Sequence, residues 1–234
     1  MSESDTSGRS APSPAPAGRG PGRPIAFHVL LGTDYAGKSS VLGELARLAP
    51  RWRIVSADDG FLGPRHTLIG RLRRALVGDV VPGMEDAYSR DFLIATFQTA
   101  VLHLRDEILR GAPGTPVVVD SYFYKILAKC RLVAASEHPL YDWWRTFPAP
   151  RRVFELEVDP ATAWERCGAG RDLNPLEHYG TGADRLSFES FQRDLRKTMR
   201  EETRALPVTT IGEGSPAAAV AREIQEAISH DHLG

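Results

Sequence analysis

Short apolar runs alternate along this chain with longer segments in which apolar side chains recur every three or four positions. Ile25 to Leu31 is the first run, too short for a helix and closed by Gly32. That is the profile of a strand buried on both faces. Val41, Leu42, Leu45 and Leu48 then recur at helical spacing until Pro50, which ends the pattern. Arg53 to Ser56 reads as a second strand, and Leu68, Ile69, Leu72 and Leu76 as a helix stopping near Gly78. The longest helical pattern covers 86–110, with Phe92, Leu93, Phe97, Ala100, Val101, Leu104 and Ile108 as its stripe. Gly111, Pro113 and Gly114 break it, and Val117–Val119 follows as a third strand ending on Asp120. A helical segment runs on through Leu127 and Leu132. Val153–Val158 is a fourth strand; Asp159 caps the next helix and Pro160 fits its first turn. An amphipathic helix over 186–204, a strand Val208–Ile211 and a helix Ala217–Ile228 complete the chain. Strands alternating with helices predict an α/β fold, with a parallel sheet covered on both faces. There is no internal repeat.

Composition narrows this picture. The 234 residues suit one α/β domain with at most a lid. Residues 1–24 read as a disordered tail, because fourteen of them are Pro, Gly or Ser and no apolar period appears. Residues 25–234 are then the folded domain. The charge balance, 29 − 30 = −1, offers no basic field to gather nucleic acid. Cys130 and Cys167 show no metal-ligand spacing and read as two reduced thiols. No apolar run has the length of a membrane span, and no secretory h-region opens the chain. A cytoplasmic location is the expectation, with no nucleic acid or membrane as partner and homodimerisation left open.

Candidate chemistry begins where the first strand ends. Gly32-Thr33-Asp34-Tyr35-Ala36-Gly37-Lys38-Ser39 matches G-x-x-x-x-G-K-[ST]. Glycines let backbone N–H groups turn inward around phosphate oxygens, and the following helix adds its positive end. Lys38 reaches the β- and γ-phosphates, and the Ser39 hydroxyl suits Mg²⁺. Gly32 through Ser40 is therefore the expected nucleotide-binding segment, with ATP and Mg²⁺ as cofactors. A second acid belongs at the end of a neighbouring strand, to hold the metal or its water. Asp120 is that candidate, beside the alternative of a helix N-cap.

With these pieces in order, the chain resembles the thymidylate kinase family of nucleoside monophosphate kinases over residues 25–229. Gly32, Asp34, Gly37, Lys38 and Ser39 match the family's phosphate loop, and Asp120-Ser121-Tyr122 its D-R-[YF]. The stretch from Asp159 to Arg166 matches D-P-x-x-A-x-x-R. Arg166–Arg171, then Asp184-Arg185-Leu186-Ser187, resemble its lid and following helix, and Ile211–Ser215 its adenine-side loop. The resemblance implies a three-layer P-loop NTPase fold: a five-stranded parallel sheet, helices on both faces and a mobile lid at about 166–185. It also implies that lid arginines neutralise the transferring phosphoryl group. Tyr35 occupies the loop slot where some members carry arginine, so Arg166 and Arg171 are the expected catalytic cations.

The acceptor side departs from the family. Ser121, Phe97 and the segment Ala57-Asp58-Asp59-Gly60-Phe61 stand where it has arginines for the acceptor nucleotide. Arg65, Arg71 and Arg90 are candidate substitutes. A phosphate acceptor arrives ionised, whereas a hydroxyl needs a base, and Asp58 is placed to be one. Asp58 equally suits a turn before Gly60. Phe61, Tyr122, Phe123, Tyr124, Trp143 and Trp144 are candidates to stack on a flat ring, or core residues. Three readings follow. One is a kinase acting on a small-molecule acceptor, a nucleotide such as dTMP. Another is a kinase acting on a hydroxyl of a nucleoside or metabolite. The third is a nucleotide-binding regulator with no acceptor.

Overall fold

The computed structural model describes residues 26–233 apart from 85, 172 and 181. The tail expected over 1–24 lies outside them. Five strands form one parallel sheet in the order β2-β3-β1-β4-β5. They are β1 (Phe27–Gly32), β2 (Arg53–Val55), β3 (Val117–Asp120), β4 (Arg152–Leu156) and β5 (Val208–Ile211). β1 is central, paired with β3 from Phe27↔Val117 to Leu30↔Asp120 and with β4 from His28↔Arg152 to Gly32↔Leu156. All six of its residues are buried, which is why it reads as an apolar run with only His28 inside it.

Alternation along the strands divides two cores. Phe27, Val29, Leu31, Val117, Val119 and Val153 face one; Leu30, Val118, Phe154 and Leu156 face the other. Helices α3 (Arg90–Leu109), α4 (Tyr122–Val133), α5 (Pro139–Arg145) and most of α7 (Arg185–Thr203) close the first core. Helices α1 (Lys38–Leu48), α6 (Pro160–Arg166) and α8 (Ala217–Leu233) close the second. Among the described residues no helix is long and apolar enough to cross a membrane.

The expected elements are present, with local differences. Helix α2 (Thr67–Ala75) continues as a wider turn over Leu76–Val80. α3 starts at Arg90 because the Ser89 side chain caps it, accepting from the Phe92 amide at 3.1 Å. β4 stops at Leu156, opposite Ile211 where β5 ends. α5 had no sequence signature; seven residues are too few for a period, and Pro139 opens it beside the His138 cap.

The carboxyl ends of the strands gather at one edge, the usual ligand side of such sheets. Leu30, fully buried beside β3 and β4, tests the packing. Leu30→Ala should cost about 2–5 kcal/mol of stability in urea unfolding; a loss within error of zero would contradict this packing.

Candidate active site

β1 delivers the chain into the loop through Gly32. A Cβ there would lie 3.0 Å from the Leu156 carbonyl oxygen and 3.1 Å from the Ala36 Cβ, so glycine permits the close approach of β4 and the loop. Gly37 turns into α1 at φ 89°, and Tyr35 holds φ 57°. That angle is uncommon for a side-chain-bearing residue and must be held by its surroundings. The Tyr35 hydroxyl donates to Glu177 Oε2 at 3.0 Å, and its carbonyl accepts from Arg166 Nη1 at 3.2 Å. Lys38 begins α1, and its Nζ donates to the Gly32 and Thr33 carbonyls at 3.1 and 2.9 Å. The helix start adds its partial positive charge.

Asp34 is the hub of this loop and only 7% exposed. Its Oδ1 meets Lys125 Nζ at 2.8 Å and Lys129 Nζ at 3.0 Å. Its Oδ2 accepts from Gln192 Nε2 at 3.1 Å, while its own amide donates to Gln192 Oε1 at 3.0 Å. Gln192 Nε2 also donates to the Glu177 carbonyl at 3.1 Å. The loop is thus tied to α4, to α7 and to the segment between α6 and α7 where the lid is expected. Burial alone would raise the Asp34 pKa, but the Lys125 and Lys129 ammoniums hold it well below the usual carboxylate range. Burial, and next the Lys125 ammonium, push Lys38 down to about 7. Lys125 moves the other way, because Asp34 outweighs its burial.

Asp120 ends β3. Its Oδ2 accepts from Ser56 Oγ at 2.9 Å and its Oδ1 from Ser121 Oγ at 2.8 Å. Ser121 and Tyr122 both adopt positive φ, 58° and 47°, so the turn into α4 carries backbone strain beside the carboxylate. Ser56 Oγ in turn accepts from the Asp58 amide at 3.0 Å. Asp58 Oδ1 accepts from the Gly60 amide at 3.2 Å, and Oδ2 lies 3.4 Å from Arg73 Nη1. Asp58 therefore shapes its turn and also reaches the site.

These parts line one cavity of about 560 Å³. Of the expected site residues, Asp34 through Ser40, Asp58, Asp120 and Arg166 line it; Gly32, Thr33 and Arg171 do not. The exposed Arg171 instead donates from Nε to the Gly168 carbonyl at 3.0 Å. Arg65, Arg71 and Arg90 are not on the cavity wall, but Arg73 is. Of the expected aromatics only Tyr122 lines it, joined by Phe97; Phe123, Tyr124 and Trp144 belong to the core. The far wall is apolar, with Leu72, Leu76, Val77 and Ile126, relieved by Thr96 and Thr99. The Tyr122 hydroxyl is buried with no hydrogen-bond partner among the described residues.

Lys125 and Lys129 are the functional candidates that sequence reading missed. Their signal was present: two lysines one helical turn apart, within a largely apolar helix that starts just after Asp120. Gln192 and Glu177 carried no comparable signal.

Lys38 yields a measurable consequence. A lysine lowered to about 7 is largely neutral at pH 8, and an incoming polyphosphate raises its pKa again. MgATP binding at pH 8 should therefore take up protons, an uptake that shrinks below pH 6.5, where Lys38 is already charged. Calorimetry in buffers of different ionisation enthalpy reads it directly; binding without proton uptake at pH 8 would contradict this environment for Lys38.

No protein-family profile matches the chain. A curated relative described as a probable thymidylate kinase, from Pyrobaculum calidifontis, is 27% identical over 201 residues, covering 85% of this chain and 93% of its own. Among solved structures, the thymidylate kinase of Candida albicans matches with TM-score 0.57 at 15% identity, over 88% of this chain and 92% of its own. The deoxyadenosine kinase of M. mycoides, solved with dCMP and dCDP, matches with TM-score 0.58 at 12% identity, over 87% of this chain and 99% of its own. By sequence relationship and by fold, the chain is similar to thymidylate kinases and deoxynucleoside kinases, and its five-stranded parallel α/β fold is the one those P-loop phosphotransferases share.

Proposed function

We propose that this chain moves the γ-phosphoryl group of MgATP onto a nucleotide-like acceptor, with dTMP as the default. The observation that carries this reading is the single cavity that the phosphate loop shares with an apolar wall. It leaves room for a donor polyphosphate and a small acceptor side by side. The glycine-bearing loop and the start of α1 suit the donor phosphates, with Lys38 at the β- and γ-positions. The Ser39 hydroxyl and the Asp120 carboxylate form an all-oxygen donor set, which fits a hard cation such as Mg²⁺. Bound there, the ion would neutralise phosphate charge. Arg166, held over the loop by the Tyr35 carbonyl, and the lysines of α4 add fixed positive charge for the transferring group. Arg171, outside the cavity, is the weaker member of the expected pair.

The default acceptor follows from the name of the Pyrobaculum relative. Charge supports it as well. An acceptor phosphate needs cationic partners, and Lys125 and Lys129 supply in this cavity what Ser121 and Phe97 cannot. Flat, partly apolar acceptor surface suits the wall of Leu72, Phe97 and Ile126, and the Tyr122 hydroxyl is a spare donor or acceptor for it.

Transfer to a hydroxyl, with Asp58 as base, is favoured by one observation: Asp58 lines this same cavity. Against it, the Gly60 amide and Arg73 already engage its two oxygens.

Two experiments separate these readings. In an ADP-release screen, dTMP or another nucleoside monophosphate should stimulate turnover, and Asp58→Ala should leave the rate within about tenfold. A drop of roughly 10²–10⁴-fold, the usual worth of a general base, with stimulation by nucleosides alone, would transfer the assignment to the hydroxyl reading. ADP release that no acceptor stimulates would point to a regulator. In the second, replacing Lys125 and Lys129 together by Met should lower kcat by about 10²–10³-fold, the range for losing a preorganised charge-stabilising donor. Unchanged kcat would remove both lysines from the mechanism.

A further inference from the structure

Outside the cavity wall, α3 carries His103 and Glu107 one turn apart on one face. The turn Pro64–His66, next after the loop of Asp58 and Asp59, brings His66 against them. His66 Nε2 lies 3.5 Å from Glu107 Oε1. The two imidazole rings meet edge to face, with centroids 4.8 Å apart. One ligand atom from each of the three side chains lies within 4.8 Å of the other two.

We propose that His66, His103 and Glu107 form a Zn²⁺ site that fastens the acceptor-side loop to α3. Two imidazoles and a carboxylate are a recurrent three-residue zinc donor set, leaving the fourth position to water. Zinc bonds of about 2.0–2.2 Å place tetrahedral ligand atoms roughly 3.3 Å apart. The His66–Glu107 pair is close to that spacing, and the His103 ligand atom lies within 4.8 Å of both. The Glu107 carboxylate also has two guanidinium neighbours. Arg53 Nη2 approaches Oε2 at 3.1 Å and Arg110 Nη1 approaches Oε1. These guanidiniums compete with a cation in charge, yet they orient the carboxylate, and each oxygen keeps a further lone pair for the metal.

The consequence reaches the phosphotransfer site through one residue. Ser56, at the start of the loop that leads to His66, donates to Asp120 and accepts from the Asp58 amide. Zinc would thus hold the loop between Ser56 and His66 from behind the cavity. It would leave the reacting groups untouched.

The test uses the full chain, stripped with chelator and dialysed against Zn²⁺ in excess Mg²⁺. One zinc per chain is expected by elemental analysis, and Co²⁺ in its place should give visible absorption of a nitrogen- and oxygen-ligated ion. His66→Ala and Glu107→Gln should each weaken zinc binding by at least about tenfold, the lower bound for losing even an outer partner of a ligand. Lys38→Ala should retain full binding, which separates this site from the phosphate loop. Zinc should raise the melting temperature of the unaltered chain and leave that of His66→Ala unmoved. A matching zinc-free melting temperature for that variant shows that it folds. An unaltered chain that takes up no zinc, or variants that bind it as tightly, would overturn the site. Either result is independent of which acceptor the enzyme uses.

Discussion

A buried carboxylate inside the phosphate loop organises everything around it. Asp34 binds two lysines of α4 and one glutamine of α7, so the loop's shape is set by elements far away in the chain. Removing one partner from a buried ion pair typically costs about 3–5 kcal/mol, because the remaining charge is left uncompensated. The cluster also carries more positive than negative charge, since two ammonium groups, Lys125 and Lys129, face the one Asp34 carboxylate. A loop preorganised in this way has little conformational freedom left to lose when phosphates arrive. Its surplus charge is exactly the sign that a polyphosphate satisfies.

Strain is distributed on the same plan. Tyr35, Ser121 and Tyr122 take left-handed backbone angles within the cavity wall. Tyr35 is held by Glu177 and Arg166, and the turn at Ser121 by the bond of its amide to the Leu30 carbonyl. Such conformations persist only where the surroundings over-determine them. Here they fix the direction of α4, and with it the approach of Lys125 and Lys129 to the loop. The central position of β1, flanked by β3 and β4, puts Gly32 and Asp120 at one edge of the sheet.

Much of the fold was legible because it is encoded locally. Buried parallel strands give apolar runs such as Val117–Asp120, and the more exposed edge strand Val208–Ile211 is marked by its β-branched residues; both could be read at their observed limits. The phosphate loop was legible because its chemistry is contiguous. Asp120 was legible because a strand end has a fixed place in such a sheet. What escaped depends on contacts between distant segments. Lys125 resembles a surface lysine until α4 is folded against Asp34, and Gln192 resembles any polar residue on an amphipathic helix. Arg166 and Arg171 look equivalent in sequence, yet the turn at Gly168 sends only the first toward the loop. The short α5 and the meeting of His66 with His103 likewise arise from packing rather than pattern.

The fate of the phosphoryl group is the most direct measure of this account. Phosphorus NMR of the chain with MgATP and dTMP should show the γ-phosphoryl signal decay as the coupled doublets of a new nucleoside diphosphate grow. Accumulation of inorganic phosphate alone, or an unchanged ATP spectrum with every nucleoside monophosphate offered, would contradict it.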